Sequence, residues 1–366
     1  MIFRASTASV KVVAVHIAHA VIQTKNHIHH RPMARKIGFW MQILLTIPIN
    51  TPHHLDASTW QNLAHEHREQ MREWTQPMRD RRSRGLKHPI HDFLTTYYSH
   101  SLGRLERWHP GANYYLEAAD GAETFFPERH YSRCDGSIFL DPEKISPKER
   151  DRLARIHNLL RLTQSRPGFY NCHGLHEWAM VYRAEDIRHE GTLPLRLSQK
   201  ETDAVVEALP IACSHFDAYR HFTPSALEFN RLRPTLDARE ANEQSACLHA
   251  NMDLYKWAYK SMPWLGSDLL RDTFLLSLKI RETDMRASPY DLSAFGHEAI
   301  KIETPAGRDE YARQQRHFAD LARPLRQEMI ARLGSFLRLT PPPALPPLQS
   351  AADPFPHFHT SPDLLS

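Results

Sequence analysis

The chain has few cysteines, and they are far apart. Four cysteines are spread over 366 residues, and none of them forms a Cys-x-x-Cys pair. This excludes the dense disulfide framework of small secreted domains and the ligand spacing of a zinc ribbon. Unpaired thiols are typical of a reducing compartment, so we expect a cytoplasmic protein.

Long apolar runs are also missing. The two longest apolar stretches, residues 12–22 and 39–49, are interrupted by histidine or polar residues. Both are shorter than the roughly 20 residues that a helix needs to span a bilayer. We therefore expect no transmembrane helix and no membrane partner.

Acidic residues are absent before Asp56, whereas lysine, arginine and histidine are scattered through that stretch. Such a bias is typical of a transit peptide or of an extension translated from an early start codon. No small-residue cleavage site closes the apolar run, so we favour the extension, with Met33 or Met41 as the true start. We place no catalytic residue in this stretch.

These features predict three segments. Residues 1–55 should be poorly ordered or extended, and residues 56–338 should form a single, mainly helical catalytic domain. Residues 339–366 contain five prolines between positions 341 and 347 and should be a disordered tail. A formal net charge of only +4 does not by itself indicate a nucleic-acid partner.

Local sequence signals predict a mainly α fold with a small β-hairpin element. Ser58-x-x-Gln61, Ser146-x-x-Glu149 and Ser198-x-x-Glu201 have the capping-box pattern of helix starts. We expect the first of these helices to end by Pro77. A β-hairpin is expected around Asp120-Gly121, and further helices over about 211–222, 246–260, 267–283 and 307–335.

Three short clusters combine cysteine, histidine and a carboxylate. They are Cys172-His173 with His176-Glu177, Cys213-x-His215 with Asp217, and Cys247-x-His249 with Asp253. Imidazole and carboxylate groups suit zinc or iron, and two or three helices can supply them to one ion. The alternative is that these side chains satisfy buried backbone groups and one another. The cysteines are better explained as small buried apolar residues than as ligands.

A fourth polar region covers residues 88–109, where histidine, acid, tyrosine and arginine are crowded together. Its aromatic residues suit the wall of a pocket that stacks a planar group, with Arg104 and Arg107 on phosphates. Alternatively, it is a helix whose aromatic side is core and whose arginines are solvated. Residues 79–87 form a basic run, which is either a solvated loop or helix end or a phosphate-contacting patch. Residues 281–291 combine arginines with carboxylates, including Asp284 and Arg286, and are either a salt-bridged loop or a site loop that carries a catalytic acid.

Several long strings within residues 85–330 resemble a bacterial family of 3-methyladenine DNA glycosylases. The strings are HPIHDFLTTYYSH, RWHPG, CHGLHEWAMVYR, CSHFDAYRHF, CLHANMDLYKWAYK and DMRASPYDLS. The resemblance implies hydrolysis of the N-glycosidic bond of an alkylated purine in DNA, with the base flipped into an aromatic pocket. The chain has neither a helix-hairpin-helix followed by a catalytic aspartate nor the pattern of the mammalian-type enzyme, so no catalytic residue is carried over.

The chemistry of glycosidic cleavage suggests roles for residues of this chain. The reaction passes through a cationic sugar that a carboxylate can stabilise, and stacking can select a charged base. The candidate catalytic residues are Glu177, Asp253 and Asp217. The candidate base- or substrate-binding residues are Tyr97, Tyr98, Trp178, Trp257, His88, His91 and Asp92. The candidate phosphate contacts are Arg104, Arg107 and Arg286. No cofactor is needed for this reaction, and Glu177→Gln should abolish turnover without changing the fold.

The competing hypothesis is a metal-dependent hydrolase or oxygenase on an α-helical scaffold, with zinc or iron as cofactor. Its candidate ligands are His173, His176, Glu177, His215, His249 and Asp253. The chain contains neither the His-Glu-x-x-His motif of zinc proteases nor the motif of zinc deaminases. A third hypothesis is a noncatalytic binding protein with a polar core. On the first two hypotheses the three clusters should lie together in space.

Overall fold

Helices dominate the described part of the chain, which in this computed structural model comprises residues 52–127, 129–185 and 193–338. The mainly α fold with a small β element is confirmed. The described residues belong to one compact unit. The expectations for residues 1–51, including both start codons, and for the proline-rich tail lie outside the described residues.

Twelve α-helices occur in these described ranges. They are α1 Ala57–Ser83, α2 Phe93–Tyr97, α3 Leu102–Glu106, α4 Ala122–Phe125, α5 Pro147–Ser165, α6 Leu175–Ala179, α7 Gln199–Ala208, α8 Phe216–Tyr219, α9 Arg239–Asn242, α10 Leu248–Lys260, α11 Ser267–Arg286 and α12 Pro305–Phe336. None of the described helices is both long and apolar enough to cross a bilayer.

Four short strands form one sheet in the order β1-β2-β4-β3. They are β1 His53–Leu55, β2 Tyr114–Glu117, β3 Tyr131–Cys134 and β4 Ser137–Leu140. β1 pairs in parallel with β2, and the other two pairings are antiparallel. Leu116 lies opposite Ile138, and both are fully buried. One face of the sheet therefore belongs to the core.

Local capping explains where several helices begin. Ser146 and Ser198 each form a complete capping box with the glutamate three residues later, as the sequence predicts. At α1 the cap is Asp56 rather than Ser58, because an Asp56 carboxylate oxygen accepts from Thr59 N at 2.7 Å.

Three further local predictions are wrong, and one of them is the helix expected over 211–222, which is present only as α8, Phe216–Tyr219. Helix α1 continues through Pro77 to Ser83, where Arg79 and Arg81 form ion pairs with Glu106 and Asp92, each at 2.5 Å. These long-range contacts stabilise the last turns despite the proline, and they engage two cations of the basic run. The hairpin turn lies at Asp135-Gly136 between β3 and β4, and the Asp120-Gly121 turn leads instead into helix α4.

The centre of the domain is formed by α10, α11 and α12, with α5 packed against α12. Every residue of α10 from Leu248 to Tyr259 is buried. The fully buried guanidinium of Arg326 on α12 donates to Gln164 of α5 and to Asn251 of α10. A helix enclosed in this way holds its polar side chains in fixed positions for a site.

Candidate metal centre

The first site residue is positioned by a left-handed turn before α6. His173 and Gly174 have φ values of 48° and 77°. A Cβ on Gly174 would lie 3.1 Å from the Tyr311 ring, so both the backbone conformation and the close packing require glycine here. The turn directs His176 and Glu177 of α6 into the interior, where both are buried.

His176, His249 and Asp284 form the first triad of possible ligands. They lie on α6, α10 and α11, and one donor atom of each lies within 4.8 Å of the others. Nε2 of His176 is 3.0 Å from Oδ1 of Asp284. The rings of His176 and His249 meet edge to face with centroids 4.6 Å apart. All three side chains are buried.

Cys172 holds the other nitrogen of His176. Its sulfur lies 3.3 Å from Nδ1 of His176. A hydrogen bond from Cys213, together with the His176 imidazole, holds the pKa of Cys172 well below its usual value despite burial. Burial by itself would lower the pKa of His176, but Asp284 and Cys172 outweigh it and raise that pKa well above the usual value. Nδ1–H therefore donates to the sulfur, and Nε2 faces the triad.

His249 is in the opposite electrostatic state. Burial, reinforced by the neighbouring His176, holds the pKa of His249 well below its usual value. It is therefore a neutral imidazole with a lone pair to offer. Neutral histidine is the form that binds metal.

Arg281 connects the first triad to Glu177. Its Nη1 donates to Glu177 Oε1 at 2.7 Å and to Asp284 Oδ2 at 3.3 Å. Its guanidinium also lies over the Phe93 ring, 3.7 Å from the centroid. Because Arg281 contacts Oδ2 of Asp284, the other carboxylate oxygen, Oδ1, faces His176. Glu177 therefore lies beside the first triad and acts on it through Arg281.

His215, Glu243 and Asp253 form a second triad. His215 is the N-cap of α8, Glu243 is the C-cap of α9, and Asp253 lies on α10. Nε2 of His215 is 3.5 Å from Glu243 Oε1 and 3.4 Å from Asp253 Oδ2. The His215 ring stacks on His249 with centroids 5.3 Å apart. The two triads are therefore neighbours.

Several donor atoms in both triads are buried without an aligned hydrogen bond. They are Nε2 of His176, Oδ1 of Asp284, both ring nitrogens of His215, and Oε1 of Glu243. Buried polar atoms in folded proteins nearly always have a partner, and each one left without a partner costs about 1–3 kcal/mol. All of these atoms except Nδ1 of His215 lie 3.0–3.5 Å from a charged or ionisable partner, so they form ion pairs without aligned hydrogen bonds.

Lys256 and Arg239 neutralise the carboxylates around the second triad. Lys256 Nζ donates to Asp253 Oδ2 at 2.8 Å and to Asp217 Oδ2 at 3.0 Å. Arg239 contacts Asp217 at 2.5 Å and Glu243 at 3.0 Å. Burial would raise the pKa of Asp253, but Lys256 and then His215 hold it well below its usual value. Burial leaves the pKa of Glu243 raised.

The space beside the first triad is small. A cavity of about 10 Å³ is lined by Cys172, His176, Cys213, Cys247, His249 and Tyr311, among others. Such a volume is close to the minimum that holds one water molecule. It therefore suits an ion or a very small molecule.

Three of the four predicted stacking residues, Trp178, Trp257 and Tyr98, belong to the core or pack against it. Trp178 is fully buried and donates from Nε1 to Ala287 O, and Tyr98 Oη donates to Asp253 Oδ1 at 2.6 Å. Tyr97 stacks on Phe93 and contacts the Asp217 carbonyl. Trp257 is 8% exposed, and Lys256 Nζ lies 4.5 Å from its ring centroid. These aromatic side chains therefore surround the carboxylates and are already packed.

The histidines at 88 and 91 contact a different set of residues. Their rings stack on each other at 4.2 Å, and the backbone N–H of His88 donates to Asp92 at 2.9 Å. Asp92 is in turn ion-paired with Arg81. His173 belongs to neither triad of the described residues.

The three predicted phosphate contacts are dispersed. The Arg104 guanidinium stacks on Tyr259 at 4.8 Å, whereas Arg107 is exposed at the end of α3. Arg286 donates to the Glu298 carbonyl and lines a groove of about 480 Å³ along residues 286–301. The three arginines therefore do not form one phosphate-binding patch, and each stays a separate candidate for a phosphate contact.

Sequence reasoning left two of the six triad donors out of its ligand set. Asp284 falls in a region interpreted as a salt-bridged loop or a site loop, yet it lies inside α11. Glu243 has no motif of its own, and only its position shortly before Cys247 and His249 links it to a cluster. Their roles depend on tertiary contacts with His176 and His215.

Comparison of the chain with known protein families, with curated proteins and with solved structures finds no match.

Proposed function

We propose that this protein is a metal-dependent enzyme and that His176, His249 and Asp284 bind its ion. The observation that carries the proposal is the buried His176–Asp284 pair, whose Nε2 and Oδ1 lie 3.0 Å apart, with a neutral His249 beside it. Buried charges in proteins are paired or coordinate metals. A divalent cation would take the place of the His176 Nε2 proton and would be held by all three side chains.

The charges of the surrounding residues nearly balance without an ion. Five carboxylates meet here: Glu177, Asp217, Glu243, Asp253 and Asp284. Four cations stand among them: Arg281, Lys256, Arg239 and Arg220. The raised pKa of His176 makes its imidazole a further positive group, so a divalent cation would bind here in exchange for the His176 Nε2 proton.

The donor set favours iron and an oxygenase reaction. Two imidazoles and one carboxylate are the ligands of non-haem iron(II) oxygenases, and zinc hydrolases use a related set. A ferrous ion here would supply binding and activation of dioxygen. A cavity of about 10 Å³, close to the smallest that holds one water molecule, lies beside His176 and His249. In this proposal Cys172 orients His176, and Arg281 holds Asp284 in position.

Metal content tests the proposal. Full-length protein without an affinity tag, passed over a chelating resin, should retain about one equivalent or more of iron. His249→Ala and Asp284→Asn should lose it. His65→Ala is the matched control, because His65 is exposed on α1 and the chain's 25 histidines could hold metal nonspecifically. Retention of zinc instead of iron would favour a hydrolase, and no retained metal would overturn the proposal.

A DNA N-glycosylase of the 3-methyladenine type is the second candidate function. Asp217 favours it, because its side chain is 17% exposed among the cations Arg220, Arg239 and Lys256. A carboxylate whose partner cations Arg239 and Lys256 lie over the Trp257 ring suits a phosphate-bearing substrate with a cationic base. DNA would be the partner, and Arg107 is free to contact phosphates on the surface.

Release of free base separates the two candidates. The glycosylase proposal expects the wild-type protein, with a chelator present, to release 3-methyladenine from methylated DNA and Asp217→Asn to lose that activity. No base release would remove this candidate and leave the metal proposal unchanged. For either candidate we propose a cytoplasmic location, which the four free thiols support.

A further inference from the structure

The second triad has the properties of a metal site in its own right. His215, Glu243 and Asp253 are 1%, 2% and 1% exposed, and they come from three different elements. Both ring nitrogens of His215 and Oε1 of Glu243 lack an aligned hydrogen bond. These atoms are separate from those of the first triad. Glu243 Oε1 lies 3.0 Å from Nε of Arg239, and Nδ1 of His215 is buried without a hydrogen bond.

The distances within the second triad match those between ligands of one ion. Donors that each lie about 2.1 Å from an ion are about 3.0 Å apart in octahedral and about 3.4 Å apart in tetrahedral coordination. Nε2 of His215 is 3.4 Å from Asp253 Oδ2 and 3.5 Å from Glu243 Oε1. These separations are longer than a good hydrogen bond, yet they match the edge of a coordination polyhedron.

The cations near this triad have another partner available. Lys256 contacts Asp253 and also Asp217, and Arg239 contacts Glu243 and also Asp217. An entering metal ion would take over Asp253 and Glu243, and both cations would remain paired with Asp217. The exchange leaves no buried charge without a partner.

We propose that His215, Glu243 and Asp253 bind a second divalent ion, so that the two triads form one dinuclear centre. The proposal rests on the proposed function, because His249 of the first triad stacks on His215 and brings the two sites together. The combined centre has three imidazoles and three carboxylates. When the second ion is absent, Lys256 and Arg239 neutralise Asp253 and Glu243. When it is bound, both cations pair with Asp217.

Manganese titration of the full-length, chelator-treated protein tests the inference. The wild type should bind two Mn²⁺ ions, and its electron paramagnetic resonance spectrum should show the magnetic coupling of two neighbouring ions. Glu243→Gln, which keeps the shape of the side chain, should bind one ion and give an uncoupled six-line spectrum. Glu240→Gln is the matched control, because Glu240 lies on the same short helix but accepts a hydrogen bond from Asn158.

The outcomes distinguish this inference from the proposed function. One bound ion that is lost in Asp284→Asn and unchanged in Glu243→Gln would overturn the second site and leave the first. Two bound ions without magnetic coupling would overturn the dinuclear centre. No bound ion in the wild type would overturn both proposals. If Glu243→Gln fails to fold by circular dichroism, His215→Gln replaces it with the same expected loss of one ion.

Discussion

The sulfur of Cys172 lies 3.3 Å from Nδ1 of His176, and this contact orients the ring so that its other nitrogen, Nε2, lies beside Asp284. Metal-binding histidines commonly donate their second ring N–H to a neighbouring acceptor, which sets the tautomer and the ring orientation. Here the acceptor is a sulfur, and the hydrogen bond from Cys213 increases its negative character. The cysteine that the sequence suggested was a bystander therefore contacts a candidate ligand directly.

Cys172→Ala should weaken metal binding without unfolding the protein. Loss of such an outer contact typically lowers metal affinity by about 10- to 100-fold. Competition with a chelator of known affinity measures the change. Cys134→Ala is the control, because Cys134 is exposed on β3. Equal affinities in the two variants would show that Cys172 does not position His176.

Glu177→Gln should destabilise the fold. The substitution removes the charge that pairs with the buried Arg281 at 2.7 Å. Because Arg281 keeps Asp284 as a partner, we expect a loss of about 3 kcal/mol, at the low end for a broken buried pair. Urea unfolding at neutral pH measures it.

Glu207→Gln is the control for Glu177→Gln, since the Glu207–Arg183 pair is exposed and should contribute little to stability. Equal stability changes in the two variants would contradict the importance of the buried pair. The sequence-based expectation that Glu177→Gln abolishes turnover with an unchanged fold stays a prediction. Because Glu177 pairs with Arg281, stability has to be measured beside activity.

Gly174→Ala should lower both the stability of the fold and the metal content of the protein. Gly174 and Gly121 share a φ of +77° and each precedes a short helix, but only at Gly174 would a Cβ contact another residue, the Tyr311 ring at 3.1 Å. The strained backbone should cost each variant about 1 kcal/mol. Overpacking should cost Gly174→Ala about 1–3 kcal/mol more. Thermal unfolding and metal content of the two variants check this, and equal losses would refute the packing argument.

Stability should fall in mild acid because of buried neutral histidines. Burial lowers the pKa of His67 to about 4 and that of His109 to about 3, from an ordinary value of 6.5. The unfolded chain therefore binds protons below pH 6.5 that the folded chain does not. The stability from His67 is fully present above pH 6.5 and is lost as the pH falls toward 4, by roughly 3 kcal/mol.

Unfolding by urea from pH 7 to pH 4 measures this loss, with a chelator present so that release of metal does not contribute. His67→Gln retains a donor for the Leu105 carbonyl, which His67 Nε2 contacts at 2.9 Å. This variant should show a smaller loss in acid than the wild type. Parallel pH profiles for the two proteins would show that His67 does not contribute.

Features set by nearby residues could be predicted from the sequence. The capping boxes at Ser146 and Ser198 involve atoms three residues apart, so their pattern is sufficient to locate the helix starts. Pro77 misled the prediction because α1 is held beyond it by Glu106 and Asp92, which are distant in sequence. Asp120-Gly121 and Asp135-Gly136 have the same turn sequence, and only strand pairing decides which becomes the hairpin.

In the candidate site, too, the sequence pattern predicts local clusters but not contacts between residues that are distant in sequence. The recurrence of histidine and carboxylate drew attention to His176, His215, His249 and Asp253, all of which lie in the two triads. Glu243 could not be found in this way, because an isolated glutamate on a short helix is ordinary until His215 is placed beside it. A linear pattern can mark a cluster, but the pairing of donors is set by the fold.

The enclosure of α10 on all sides has a kinetic consequence. Its amide groups from Leu248 to Tyr259 have no solvent-facing side, so their hydrogen exchange should require the domain to open as a whole. His249 and Asp253, one donor from each triad, are on this helix. We therefore expect an ion bound to them to exchange slowly with solvent.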